Sequence, residues 1–165
     1  MIHCIWYKNS KFEETFLHLN LEEILLVFKN NGIHEKDMII CKANTYLDVY
    51  VRWMACLGNN LLPVFAFSEM TQENIINWNT KLGIKGILVS DKGQHSFYKL
   101  PGAKKTCGFL RDVEAGSVIH LTSATTGTPK LVLRTKQQLR AELIRYSNYL
   151  KVSEMVVIMP IVPIN

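Results

Sequence analysis

Three short apolar runs, Met38-Ile39-Ile40-Cys41, Leu61-Leu62-Pro63-Val64-Phe65 and Gly86-Ile87-Leu88-Val89-Ser90, alternate with three segments whose apolar residues recur at helical spacing. A run that is apolar at every position offers no face to water, so as a strand it has to be covered on both sides. Helix, strand, helix, strand, helix, strand is also the order that right-handed crossovers wind into a parallel sheet with helices on its faces. The expected fold class is therefore α/β, a mainly parallel sheet flanked by helices.

Within that frame the first helix reads from Leu21 to Asn31, with Leu21, Ile24, Leu25 and Phe28 on one stripe, Asn20 as its cap and Gly32 as its stop. The second, Thr45 to Leu57, is apolar nearly all round and should be sandwiched. Its Tyr46, Tyr50 and Trp53 read as core packing, and Asp48 and Arg52, one turn apart, as a pair on the helix surface. The third helix opens at Thr71 and runs to Leu82. Met38 to Cys41 should be central in the sheet, whereas Pro63, which cannot donate to a ladder, points to a strand terminus or edge.

From Asp91 to Gly116 the pattern dissolves into polar residues, with Phe97-Tyr98 and Phe109-Leu110 as short strand candidates. Strands resume at Ser117–Leu121 and Leu131–Arg134. Thr135-Lys136-Gln137-Gln138 is a capping box for a helix carrying Leu139, Leu143, Tyr146 and Leu150 on one face, and Val156–Met159 begins one more strand.

The chain's 165 residues suit one core, and 48% hydrophobic against 20% charged residues is the balance of a folded domain. Nineteen Lys and Arg against 14 Asp and Glu leave a formal charge of +5, a weak background field favouring anionic ligands. The basic residues are dispersed and no aromatic residues interleave with them, so nucleic acid is not an expected partner. Cys4, Cys41, Cys56 and Cys107 form no C-x-x-C pair and have no His at zinc spacing; they read as reduced, mostly buried thiols rather than metal ligands. The N-terminus lacks a signal-peptide pattern, and the longest apolar segment, Met155 to Ile164, is broken by Pro160 and Pro163 and is too short to span a bilayer. A cytoplasmic protein is expected.

Between the strands at 117–121 and 131–134 lies Thr122-Ser123-Ala124-Thr125-Thr126-Gly127-Thr128-Pro129-Lys130, with five hydroxyl side chains in nine residues. Phosphate binding calls for this composition: hydroxyls and successive backbone N–H groups ring a polyphosphate, Gly127 admits close backbone approach, and a Lys ammonium neutralises charge. The Walker pattern fails because Lys130 follows Pro129 and no glycine stands at the required distance before Gly127. The three spaced glycines of a dinucleotide fingerprint are absent too.

The run closely resembles the T-S-G-T-T-G-x-P-K signature of adenylate-forming enzymes, the superfamily of acyl- and aryl-CoA synthetases, luciferases and nonribosomal peptide adenylation domains. Eight of nine positions fit, and Ala124 stands where the family usually has Gly. If that position needs positive φ, the methyl group costs about 1 kcal/mol. The continuation Leu131-Val132-Leu133-Arg134-Thr135 is similar to the form seen among aryl-acid adenylating members. Upstream, Gly32-Ile33-His34-Glu35-Lys36-Asp37 before an apolar strand, then Asn44 and Leu62-Pro63-Val64, resembles the family's G-I-x-x-G-D-x-V, N and P-V/L succession, with Lys36 in place of Gly.

The resemblance implies that residues 1 to 165 are a single partial AMP-binding, N-terminal domain, and that Thr122, Ser123, Ala124, Thr125, Thr126, Gly127 and Thr128 wrap the β- and γ-phosphates of ATP, bound with Mg²⁺, while Lys130 adds charge. It implies a parent ligase that activates a carboxylic acid as acyl-AMP and passes it to coenzyme A or a carrier protein. The family's later motifs, for ribose and for the acid, have no counterpart in the chain, so no catalytic residue is assigned and the segment alone is expected to be inactive. The rival expectation is a naturally short, non-catalytic nucleotide-sensing or interaction module. His120, before the loop, reads as a packed histidine rather than a catalytic one.

Overall fold

The structure, a computed structural model, describes residues 4–7, 10–66, 71–91, 94–102, 112–121 and 130–150. A hairpin of β1 (Cys4–Tyr7) and β2 (Ser10–Glu13) runs directly into α1 (Glu14–Asn30). There follow β3 (Met38–Lys42), α2 (Tyr46–Gly58), β4 (Leu62–Ala66), α3 (Gln72–Leu82), β5 (Gly86–Asp91), β6 (Gln94–Lys99), β7 (Val118–Leu121), β8 (Leu131–Arg134) and α4 (Lys136–Leu150). The six-stranded sheet has the order β6-β5-β3-β4-β7-β8. Its four inner strands are parallel, and antiparallel hairpin partners, β6 and β8, close the two edges. The mainly parallel α/β sheet expected from the sequence is the fold observed.

β3 is central because it has no other place to go. Met38, Ile39, Ile40 and Cys41 are all buried, and they divide between two cores by the two-residue strand period. Ile39 and Cys41 face α1 and α2, where Ile24, Phe28, Val51, Ala55 and Cys56 pack with Phe65 and Val118. Met38 and Ile40 face α3, against Trp78, Leu82, Val64 and Ile119.

Helix ends follow from local chemistry. α1 stops in a Schellman motif, with Gly32 at φ 65°, its N–H on the Lys29 carbonyl and the Ile33 N–H on that of Phe28. α2 closes the same way with Asn60 at φ 52°, the Asn60 N–H donating to Leu57 and the Leu61 N–H to Cys56. Gly86 is required for another reason: a Cβ there would stand 2.5 Å from the Tyr98 carbonyl oxygen and collide with the Phe97 ring. The capping box of α4 is present, the Thr135 N–H donating to Gln138 Oε1 at 2.9 Å and the Gln138 N–H to Thr135 Oγ1 at 3.3 Å.

Three expectations need correction. α1 begins at Glu14, seven residues before the expected start at Leu21, because Leu17 already belongs to its buried stripe. Asn20 lies inside the helix, and its side chain is used across the fold, 3.2 Å from His95 Nε2 on β6. Of the two readings of Pro63, the edge strand is excluded, because β4 lies between β3 and β7, and the strand terminus stands, because Pro63 is the second residue of β4. The Leu62 N–H donates towards β3, to the Asp37 carbonyl, so the alternation of the strand turns the donor-less Pro63 towards β7, and that ladder begins only at Val64. Arg52 is not on the surface but fully buried. The strands expected at Phe109-Leu110 and Val156–Met159 lie outside the described residues.

Arg52 is the unusual element of the core. Its Nη2 stands 3.8 Å from Asp48 Oδ1, beyond hydrogen-bond range, and none of its three nitrogens has a hydrogen-bond partner. Asp48 is itself committed to the start of α2, where Oδ2 accepts from the N–H groups of Asn44 and Thr45 and from Thr45 Oγ1. Burial pulls the guanidinium below its ordinary pKa, and the charge of Asp48 works against that pull. A buried cation without hydrogen bonds contributes little to stability, whereas removing its countercharge is costly. Asp48→Ala should therefore destabilise the fold by about 3 kcal/mol or more in urea unfolding, combining the lost cap with the stranded cation. Arg52→Met should be neutral or stabilising, and a loss above about 2 kcal/mol on that change would mean that the guanidinium is well paired.

Candidate functional site

The carboxyl edge of the parallel strands is where the candidate loop is anchored. The chain leaves β3 towards α2 on one face of the sheet and leaves β4 towards α3 on the other. Such a parting of connections opens a crevice at the strand ends. β7 lies beside β4 through Val64↔Ile119 and Phe65↔His120, so it delivers the segment after Leu121 to this same edge. β8 brings the chain back antiparallel, with Leu121 opposite Leu131 as the last pair. The ends of the segment 122–130 are thus held together by a ladder whose other face is core.

Of the residues singled out from the sequence, Lys130 is described, exposed and next to the closing pair. Thr122, Ser123, Ala124, Thr125, Thr126, Gly127 and Thr128 lie outside the described residues. What the structure contributes is their frame: β7, paired in parallel with β4, and β8, paired antiparallel with β7, flank the segment.

Two helix starts that follow the carboxyl ends of parallel strands already have acceptors of their own. At α2 the Asp48 N–H donates to Thr45 Oγ1, and the Asp48 carboxylate sits over the first turn. At α3 the Asn74 N–H donates to Thr71 Oγ1. α4 starts at the other end of the sheet, because Arg134 pairs with Val118 at the beginning of β7, and there the N–H groups of Lys136, Gln137 and Gln138 donate to Ser117 Oγ, Glu114 Oε1 and Thr135 Oγ1. Among the described residues no group of three or more His, Cys, Asp and Glu gathers to hold a metal, and no helix is long and apolar enough to cross a membrane.

His120 packs its ring against Phe65, with centroids 6.2 Å apart. Burial lowers its pKa, and Arg134, ion-paired with Glu142 on α4, lowers it further. That is a neutral packed histidine. Sequence reasoning missed His95, which is buried beneath the β5–β6 hairpin with its N–H donating to Glu23 Oε1 at 2.8 Å and Nε2 beside Asn20. The available signal was the alternation Gln94, His95, Ser96, Phe97, in which every second residue turns inward.

No protein-family model matches the chain, and no curated protein does. Solved structures do match. O-succinylbenzoate coenzyme A synthetase (MenE) from Bacillus subtilis, in complex with AMP, superposes with a TM-score of 0.64 at 13% identity over 93% of this chain. MatB from Rhodopseudomonas palustris gives 0.60 at 15% identity over 86%, and the N-terminal subdomain of Klebsiella oxytoca NpsA, bound to 3-hydroxyanthranilyl-AMSN, 0.53 at 18% over 79%. The fold is that of the N-terminal part of adenylate-forming enzymes. At these identities the likeness is one of fold, and the chain spans 44% of the MenE chain and 33% of the MatB chain.

Buried His95 and half-buried His120 make stability depend on pH in a defined direction. Burial lowers the pKa of His95; Glu23 and Asp48 oppose that shift and Arg52 adds to it. A ring whose folded pKa lies below the unfolded value of about 6.5 is protonated first in the unfolded chain. The full contribution is present above about pH 6.5 and is lost as pH falls towards the folded pKa values. Urea unfolding free energies should be lower at pH 5.5 than at pH 7.5, and His120→Gln should flatten part of that slope. An unchanged slope in the variant would show that His120 titrates alike folded and unfolded.

Proposed function

We propose that the segment Thr122–Lys130 binds the β- and γ-phosphates of ATP, in a ligase that joins a carboxylic acid to AMP and then passes the acyl group to a thiol, coenzyme A or a carrier protein. The observation that supports this reading most directly is positional. The one segment of the chain with the composition of a phosphate loop is hung from β7 and β8 at the carboxyl edge of a sheet shared with adenylate-forming enzymes. The donor set fits the group: five hydroxyls, Gly127 for close approach and the exposed Lys130. ATP would arrive with Mg²⁺, which supplies charge neutralisation on the leaving pyrophosphate. Thr122, Ser123, Thr125, Thr126 and Thr128 orient the terminal phosphates, and Lys130 holds negative charge as it develops there.

The share of MenE and MatB that this chain spans supports assigning it the phosphate side of the reaction rather than the whole of it. In-line attack at the α-phosphate requires adenine, ribose and carboxylate to be fixed together, and most of the rate gain lies in that positioning. The chain alone is therefore read as binding nucleotide weakly without turning it over. The reading places it in the cytoplasm, with no role for nucleic acid.

Magnesium ATP titrated into the chain and followed by amide NMR should perturb the 122–130 resonances. Lys130→Ala should weaken that binding about tenfold or more, the worth of one charged hydrogen bond. Pyrophosphate exchange with a panel of aryl and fatty acids should stay at background. Equal binding by the variant would remove Lys130 from the site, and acid-dependent exchange would show that the chain carries a complete active site. Binding without exchange, even in a longer parent chain, would favour a nucleotide-sensing module.

A further inference from the structure

Cys41 on β3 and Cys56 in the last turn of α2 face each other across the larger core, with their sulfurs 3.9 Å apart. Both are fully buried free thiols. They come together because β3 buries Cys41 and Ile39 on the side where α2 buries Val51, Ala55 and Cys56. The fully buried Arg52 lies one helical turn before Cys56, has no hydrogen-bond partner among the described residues and is within electrostatic reach of both sulfurs. A guanidinium in that state favours a transient thiolate beside it.

We propose that Cys41 and Cys56 are an oxidisable pair that closes to a disulfide, stapling α2 to the central strand. The proposal is independent of the phosphate-site reading. A peroxide is the oxidant: the thiolate of one cysteine attacks a peroxide oxygen, the O–O bond breaks, and a sulfenic acid forms with release of water. The second sulfur then attacks the first, expelling the sulfenic oxygen as another water and forming the S–S bond. Two thiols and one peroxide thus give one disulfide and two waters. Closure brings the sulfurs from 3.9 Å to bonding distance, with strand and helix holding the pair side by side in the closed fold.

Burial sets the conditions. The closed core raises the Cys56 thiol pKa, by desolvation first and then by the neighbouring Cys41, so reaction waits on local opening of α2. Once one sulfur is oxidised its partner is already in place, so the disulfide should form before higher oxides accumulate.

The test is to treat the native wild-type chain with hydrogen peroxide, block remaining thiols and map linkages by non-reducing peptide mass spectrometry, with a parallel sample in guanidinium chloride. The expected native product has lost about 2 Da, carries a Cys41–Cys56 linkage reversed by dithiothreitol, and contains no other intramolecular pair. The denatured sample should give a mixture of pairs. In Cys56→Ala, Cys41 should instead advance to sulfinic acid. A native product with oxygen adducts and no Cys41–Cys56 linkage, thiols that stay unreacted, or the same mixture native and denatured would overturn the proposal.

Discussion

The burial of β3 on both faces is the constraint on which the rest of the fold depends. Four consecutive apolar residues cannot share one core, because successive side chains point to opposite sides of a strand. Two layers of helix are needed, and the chain supplies them with α1 and α2 on one side and α3 on the other. Because those layers lie on opposite faces, the connections leaving β3 and β4 part company at the carboxyl edge. That parting at the strand ends is a by-product of covering β3 twice.

The polar residues enclosed in this packing set its character. Arg52, Asp48, His95, Asn20 and Glu23 bring α1, α2 and the β5–β6 hairpin together by hydrogen bonds and charge rather than by apolar contact alone. Their arrangement is economical at Asp48, where one oxygen caps α2 and the other faces the cation, and incomplete at Arg52. This cluster and the Cys41–Cys56 pair lie on the α1–α2 side of the sheet, whereas α3 buries Trp78 and Leu82 together with Asn79, whose Nδ2 donates to the Pro101 carbonyl. The segment proposed to bind phosphate lies between β7 and β8, and β4 stands between those strands and β3.

Much of the fold was legible because local rules and burial agree in this chain. Thr71, Gly83 and the Thr135–Gln138 box mark helix ends by backbone chemistry that does not depend on context. Met38–Cys41 announced a central strand because an unbroken apolar run has few other uses. The errors fell where a residue had two possible employments. Asn20 has the side chain of a cap but is spent on His95, and Pro63 has the backbone of an edge residue but sits where its missing donor faces no acceptor.

Sequence alone determined the alternation of helix and strand, the hydroxyl-rich composition of residues 122–130 and their enclosure by two strands, because periodicity and side-chain chemistry are carried residue by residue. Tertiary structure alone decided that β6 and β8 are antiparallel edges, that Asp48 and Arg52 turn inward, that His95 is buried and that Cys41 meets Cys56. These are contacts between residues distant in sequence or choices of which helix face turns inward. A helix that is apolar nearly all round, as α2 is, has no stripe to announce its orientation, so only the packing of its neighbours could settle where its two charges point.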